Sequence, residues 1–238
     1  MTDAALTGTG RGAAPRRVAL VDTALVLGAF LAVRAGLHAT GVGIGAGSAA
    51  VVCSVGLATW LLHRRGMGWS ALGLRWPPSV GRTAAWTAAL FLVQFLVVPA
   101  VVVPIVRALH ASAHEAEVFA TLRGNTTQYL IMLLPVTWGA AAWGEEMLFR
   151  GFLATRIADS LGGAAAAIAV AVVVQASVFG LCHSYLGLQG MLNAGFLGLA
   201  AGAAYVASGR NLWPPIIAHG LIDSIGLTLL YLGAAPGH

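Results

Sequence analysis

The sequence predicts an all-α fold, a polytopic transmembrane helical bundle of about seven spans. Hydrophobic residues make up 58% of the 238 residues, and charged residues only 9%, whereas a typical soluble domain is about 25% charged. So few charges cannot cover a water-soluble surface. The same composition excludes intrinsic disorder, which requires low hydrophobicity and high charge.

Apolar runs give the predicted helices in order, since a spanning helix needs about 20 residues. The predicted spans are 18–33, 46–62, 83–106, 129–157, 162–183, 188–207 and 212–232. The first run follows Arg16 and Arg17, and because many further spans follow it, we interpret it as an uncleaved helix rather than a signal peptide. Pro99 and Pro104 predict a bend or break in the third run.

The remaining segments connect these spans. Residues 1–15 are small and polar, which predicts a flexible cytoplasmic tail, and residues 16–238 then form a single transmembrane domain. The segment 66–82 combines Trp and Arg residues and is typical of the membrane interface. The segment 107–128 is rich in charged and His residues, which predicts an extramembrane loop.

Charge distribution predicts the orientation. Ten of the thirteen basic residues fall on one side of this topology, which favours a cytoplasmic N-terminus and an extracytoplasmic C-terminus in the plasma membrane. The basic residues are all Arg, as expected of a GC-rich bacterial genome. Because they lie in short connecting segments, they indicate a lipid bilayer rather than a nucleic acid as the partner.

Four acidic residues lie inside apolar runs: Asp22, Glu145, Glu146 and Asp223. An ionisable group within a membrane costs several kcal/mol, so it is usually paired or functional. We interpret Asp22, which lies near Arg16 and Arg17, as an interfacial charge.

The two adjacent glutamates have different predicted surroundings. Glu146 and Arg150 are four residues apart on one helix and can form an ion pair. Glu145 points about 100° away from Glu146 on an α-helix, which leaves its carboxylate free for other chemistry.

Two histidines follow on later helices. Phe179 and His183 share one helical face, and so do His219 and Asp223. Straight alternating helices would place His183 at a different depth from Glu145 and His219. Convergence of the three therefore requires tilted helices or shifted helix boundaries.

A carboxylate and two imidazoles can hydrolyse a bond in two ways. Glu145 can act as a general base on water while a histidine donates to the developing oxyanion. Alternatively, the same groups can hold a divalent metal such as zinc. The candidate metal ligands would be Glu145, His183, His219 and Asp223.

The order of these motifs resembles the CPBP family of intramembrane endopeptidases, which includes type II CAAX prenyl endopeptidases and bacteriocin-processing proteins, formerly called the Abi family. Its pattern is Glu-Glu-x-x-x-Arg, Phe-x-x-x-His and His-x-x-x-Asn/Asp on successive transmembrane helices. The matching residues are Glu145, Glu146 and Arg150, then Phe179 and His183, then His219 and Asp223. The segments 72–75, 151–153 and 211–219 also fit, and the family-like core covers about residues 70–232.

The resemblance implies a hydrolase acting on peptide bonds, with either a glutamate or a metal activating the water. Glu145 would activate the water with help from His183, and His219 and Asp223 would form the oxyanion site. Glu146, Arg150 and Phe179 would have supporting roles. Many family members carry Asn where Asp223 stands, and because an ionised Asp cannot donate a hydrogen bond, Asp223 must be protonated, orient His219 or bind a metal.

Two other functions fit the same residues. Intramembrane Glu and His residues also build proton relays, as in a proton-coupled transporter or channel. A non-catalytic immunity or scaffold protein could retain the fold. For an endopeptidase, the expected partner is a membrane-associated protein or peptide substrate.

Overall fold

The computed structural model describes residues 16–43, 45–110 and 119–234, and within them it confirms the all-α prediction, since they contain no strand. The predicted tail 1–15 lies outside the described residues. Apart from short 3₁₀ turns, the described residues form seven helical runs: α1 (Arg16–Ala39), α2 (Gly45–Arg64), α3 (Val80–Ala108), α4 (126–160), α5 (Ala165–Cys182), α6 (Gly187–Ala207) and α7 (Trp213–Leu232).

Six of these helices, all except α4, are long and apolar enough to cross a membrane. The predicted fourth span is also helical, but it consists of three consecutive elements and carries Glu145, Glu146 and Arg150. A bundle of this composition supports integration into a membrane.

The third predicted span is a continuous helix rather than a broken one. A single π-helical turn, Val93–Val97, interrupts its α-helical geometry, and the Val98 N–H bonds to the Val93 carbonyl. Pro99 follows directly and has no N–H to donate, and its ring would crowd the carbonyl four residues earlier. The wider turn accommodates this proline, while Pro104 lies inside the following helical segment.

Helix α4 lies at the centre of the bundle and contacts α2, α5 and α7. It begins as Thr126–Ile131, continues as the π-helical segment Met132–Leu153 and ends as Ala154–Ser160. A π-helix ordinarily forms only single turns, often at functional sites. Here it extends over 22 residues and includes both glutamates of the first motif.

Small residues bring α5 and α6 into backbone contact. A Cβ atom on Gly180 would lie 2.8 Å from the Met191 carbonyl oxygen and 3.0 Å from the Gly195 Cα. A Cβ atom on Gly198 would lie 3.2 Å from the Ala176 Cα. Such stripes of small residues let transmembrane helices approach each other, and here they fix the end of α5 where His183 stands.

The turn between α6 and α7 is held by the segment that precedes α3. Tyr205 donates a hydrogen bond of 2.9 Å to the Leu72 carbonyl, and the Leu212 N–H donates one of 3.2 Å to the Gly73 carbonyl. Gly73 has φ 99°, and a side chain there would overlap the Arg210 carbonyl oxygen. Only glycine adopts this backbone conformation at low cost.

This turn is recessed into the bundle. Leu212 is fully buried, and its side chain packs against Gly151, which lies well inside α4. Helix α7 therefore begins at the level of Gly151 rather than beside Ser160 at the end of α4. Because α4 and α7 run antiparallel, His219 then lies beside Glu146.

Asp22 has different partners from those expected. It is fully buried, with its carboxylate 2.8 Å from an Arg65 nitrogen and 3.8 Å from an Arg156 nitrogen. We expected it beside Arg16 and Arg17, at the membrane interface. Because α1 packs antiparallel to α2 and α4, the ends of those two helices lie beside the start of α1. Arg65 and Arg156 are therefore the residues that contact Asp22.

Candidate active site

The two adjacent glutamates lie in different surroundings, as their spacing predicts. Glu146 is 1% exposed, and its Oε1 atom lies 2.9 Å from an Arg150 nitrogen, so the expected ion pair forms. Glu145 is partly exposed and lines a cavity. Its Oε2 atom is buried without a hydrogen-bond partner among the described residues. One oxygen of Glu146 also has no hydrogen-bond partner among these residues. The difference is that Glu146 is paired with Arg150 within the bundle, whereas Glu145 lies on the cavity wall.

His183 caps the end of α5, and its hydrogen bonding fixes the tautomer of the neutral ring. Its Nδ1 atom lies 2.8 Å from the Phe179 carbonyl oxygen. Because a carbonyl only accepts, Nδ1 carries the proton, and Nε2 of the neutral ring is then an acceptor. His183 can thus accept a hydrogen bond from a water molecule.

His219 lies between two carboxylates. Its Nδ1 atom is 2.8 Å from Glu146 Oε1, and its Nε2 atom is 3.3 Å from Asp223 Oδ2. Carboxylates only accept, so both ring nitrogens donate when both acids are ionised. Asp223 is 37% exposed and belongs to the cavity lining, whereas His219 is 12% exposed. Of the three roles considered for Asp223, this geometry fits orientation of His219.

Aromatic rings join the three motifs. The Arg150 guanidinium lies 4.4 Å from the Phe179 ring centroid, which is close enough for a cation–π contact. The Phe179 ring in turn lies 4.7 Å from the His183 ring and 6.2 Å from the His219 ring. Phe179 is 3% exposed and therefore holds both histidines against a fixed surface.

The four candidate catalytic residues face one cavity of about 890 Å³. Its wall includes Glu145, His183, His219 and Asp223, but not Glu146. The expected difference in depth disappears for two reasons. Glu145 and His183 are separated from the turn between α4 and α5 by nearly equal numbers of residues, and the recessed start of α7 brings His219 to the same level.

The sequence did not predict two features of this site. The first is the hydrogen bond between Glu146 and His219, which are 73 residues apart. The second is Arg34 of α1, which lines the same cavity. Arg34 follows directly after the predicted first span, 18–33, and a charge at the end of a span carries no functional signal.

The metal alternative requires at least three ligands in reach of one point. In the described part of the chain, no group of three or more His, Cys, Asp or Glu side chains has that arrangement. Both His219 nitrogens already face carboxylates. The described residues therefore show no metal site, and the metalloprotease alternative is not confirmed.

Comparison with known proteins gives one family. Residues 127–225 match the family model described as Type II CAAX prenyl endopeptidase Rce1-like. No curated protein and no solved structure matches the chain. The matched region contains all three motifs, from Glu145 to Asp223. It confirms the resemblance drawn from the motifs and supports placing this chain in a CPBP/CAAX protease-like family.

Proposed function

We propose that this protein is an intramembrane endopeptidase that hydrolyses a peptide bond of a membrane-associated protein or peptide. The observation that carries the proposal is the position of Glu145, His183, His219 and Asp223 on the wall of one cavity within an apolar bundle. The match to a family of CAAX-type proteases supports the reaction class.

Glu145 is the general base in this mechanism. Its carboxylate takes a proton from a water molecule in the cavity, and His183 Nε2 accepts the second hydrogen of that water and orients it. The hydroxide adds to the carbonyl carbon of the substrate. The resulting tetrahedral intermediate carries a negative charge on oxygen.

His219 stabilises that oxyanion. Glu146 holds the ring through Nδ1 and keeps Nε2–H directed toward the cavity, where Asp223 also lies. When the oxyanion forms, the Nε2–H donates to it in place of Asp223 Oδ2, which lies 3.3 Å from this nitrogen in the structure. Removal of one such donor typically costs about 10²–10³ in kcat. Glu145 then returns its proton to the leaving amine as the C–N bond breaks, which yields a carboxylic acid and an amine.

The test compares membranes that contain equal amounts of wild type and Glu145→Gln, with mass spectrometry of newly formed peptide termini. Asp159→Asn is the matched control, because it makes the same chemical change on α4 outside the cavity lining. We expect new termini with wild type and Asp159→Asn but not with Glu145→Gln. Equal termini with folded Glu145→Gln would refute the assignment of the base.

Purified protein in liposomes provides the second arm. Peptides found by the first arm should be cut by wild type at the same bond, without any other protein present. Failure of the purified wild type to cut these peptides would show that a host protease produced the termini.

A further inference from the structure

Arg34 places a positive charge on the wall of the candidate active-site cavity. It lies on α1, is partly exposed and lines the cavity that also holds Glu145 and His183. Among the residues that the structure describes, no carboxylate forms an ion pair with it. A charge within a membrane helix is costly and is usually paired or functional.

Aromatic contacts fix this charge relative to the reaction centre. The Arg34 guanidinium lies 5.5 Å from the Tyr185 ring centroid, and that ring lies 6.0 Å from the His183 ring at an angle of 30°. The guanidinium is therefore within about 12 Å of the His183 ring, a distance that about three extended peptide residues span.

Helix α1 presents one continuous face to the cavity. Phe30, Arg34 and His38 follow at intervals of four residues, and all three belong to the cavity lining. Phe30 is buried against Phe149 of α4, the helix that carries Glu145, with ring centroids 6.1 Å apart. Phe149 also packs against Phe179. The contact with these buried rings fixes the position of α1 and therefore of Arg34.

We propose that Arg34 is a specificity residue that binds a carboxylate of the substrate, located within about three residues of the bond that is cut. The inference rests on the proposed endopeptidase function. A guanidinium forms strong, directional hydrogen bonds with a carboxylate. The carboxylate is either the C-terminus of the substrate or the side chain of an acidic residue, and the two give the same chemistry at Arg34.

The test measures binding without turnover, in a Glu145→Gln background and in discs of neutral phosphatidylcholine. The probe is a dansyl-labelled peptide of alternating alanine and leucine in three forms. These are the free acid, the C-terminal amide, and the amide with one glutamate two residues from its end. Fluorescence anisotropy gives a Kd for each form with three proteins. These are the Glu145→Gln parent and the same protein with Arg34→Gln or Arg34→Lys added.

We expect the parent to bind at least one acidic form about tenfold more tightly than the plain amide. Arg34→Gln should lose this preference and Arg34→Lys should retain part of it. Arg64→Gln is the matched control, because Arg64 also stacks on an aromatic ring, at 4.9 Å from Trp60, but is exposed outside the cavity. The form that binds tightly identifies which carboxylate is recognised.

The proposal is overturned if the parent shows no preference for an acidic probe, or if the preference survives Arg34→Gln in a protein with an unchanged Tm. It is also overturned if phosphatidylglycerol discs abolish the preference, because Arg34 would then bind a lipid phosphate. A failure of wild type to cleave any peptide would count against the endopeptidase function, while the binding result would still decide the role of Arg34.

Discussion

Replacement of Glu146 by alanine is expected to destabilise the bundle, although Glu146 does not line the cavity. Its Oε1 atom contacts both Arg150, at 2.9 Å, and His219, at 2.8 Å. Arg150 is itself 1% exposed, and its Nε atom has no hydrogen-bond partner among the described residues. The substitution therefore leaves a buried guanidinium without its counter-charge.

Removal of one partner of a buried ion pair costs about 3–5 kcal/mol. For a chain of this length, 1 kcal/mol corresponds to a change in Tm of about 2–4 °C, so Glu146→Ala should lower Tm by about 6–20 °C. The assay is thermal unfolding of the purified protein in one detergent. The double variant Glu146→Ala/Arg150→Met should recover at least half of this loss, because it removes both charges.

Glu145→Gln is the internal comparison, since it changes the neighbouring carboxylate. Glu145 is partly exposed and has a free carboxylate oxygen, so we expect its Tm to stay within a few degrees of wild type while cleavage is lost. An unchanged Tm for Glu146→Ala would refute the buried ion pair. A large loss of stability in Glu145→Gln would show that Glu145 supports the fold rather than the reaction.

Three further substitutions test other parts of the structure. Gly73→Ala should lower both Tm and kcat/KM, because a methyl group at φ 99° overlaps the Arg210 carbonyl oxygen and displaces the turn before α7; a Tm equal to that of wild type would count against it. Asp22→Asn should weaken the hydrogen bond between the buried Asp22 side chain and the partly exposed Arg65, lower the free energy of unfolding by about 1–3 kcal/mol and leave kcat/KM per folded molecule unchanged. Asp223→Asn should keep kcat/KM within about tenfold of wild type, because the amide oxygen still accepts from His219 and the amide N–H₂ can donate to an oxyanion; a complete loss in folded protein would show that the negative charge is required.

Contacts within one helix were predictable from the sequence. The pairs Glu146–Arg150 and His219–Asp223 are each four residues apart, and helical geometry alone places their side chains on one face. The apolar runs likewise predicted the bounds of the helices to within three residues, except that α1 extends six residues beyond its predicted end. Both results depend only on local periodicity.

Contacts between helices were not predictable in this way. The bond between Glu146 and His219 depends on the depth at which α7 begins, and the pairing of Asp22 with Arg65 depends on how α1 packs against the end of α2. Neither quantity leaves a periodic signal in the sequence. Straight helices of equal length were the simplest assumption, and they gave the wrong depth for His183.

The match to the family covers residues 127–225 and includes every candidate catalytic residue, but these residues alone do not determine the site geometry. The depth of His219 depends on Gly73, which binds the start of α7 from outside the matched region. The orientation of Phe149 depends on Phe30 of α1, and α1 also supplies the cationic part of the cavity wall. The matched core therefore contains the candidate catalytic residues, whereas the segments before residue 127 set their relative depth and line the part of the cavity that we propose selects the substrate.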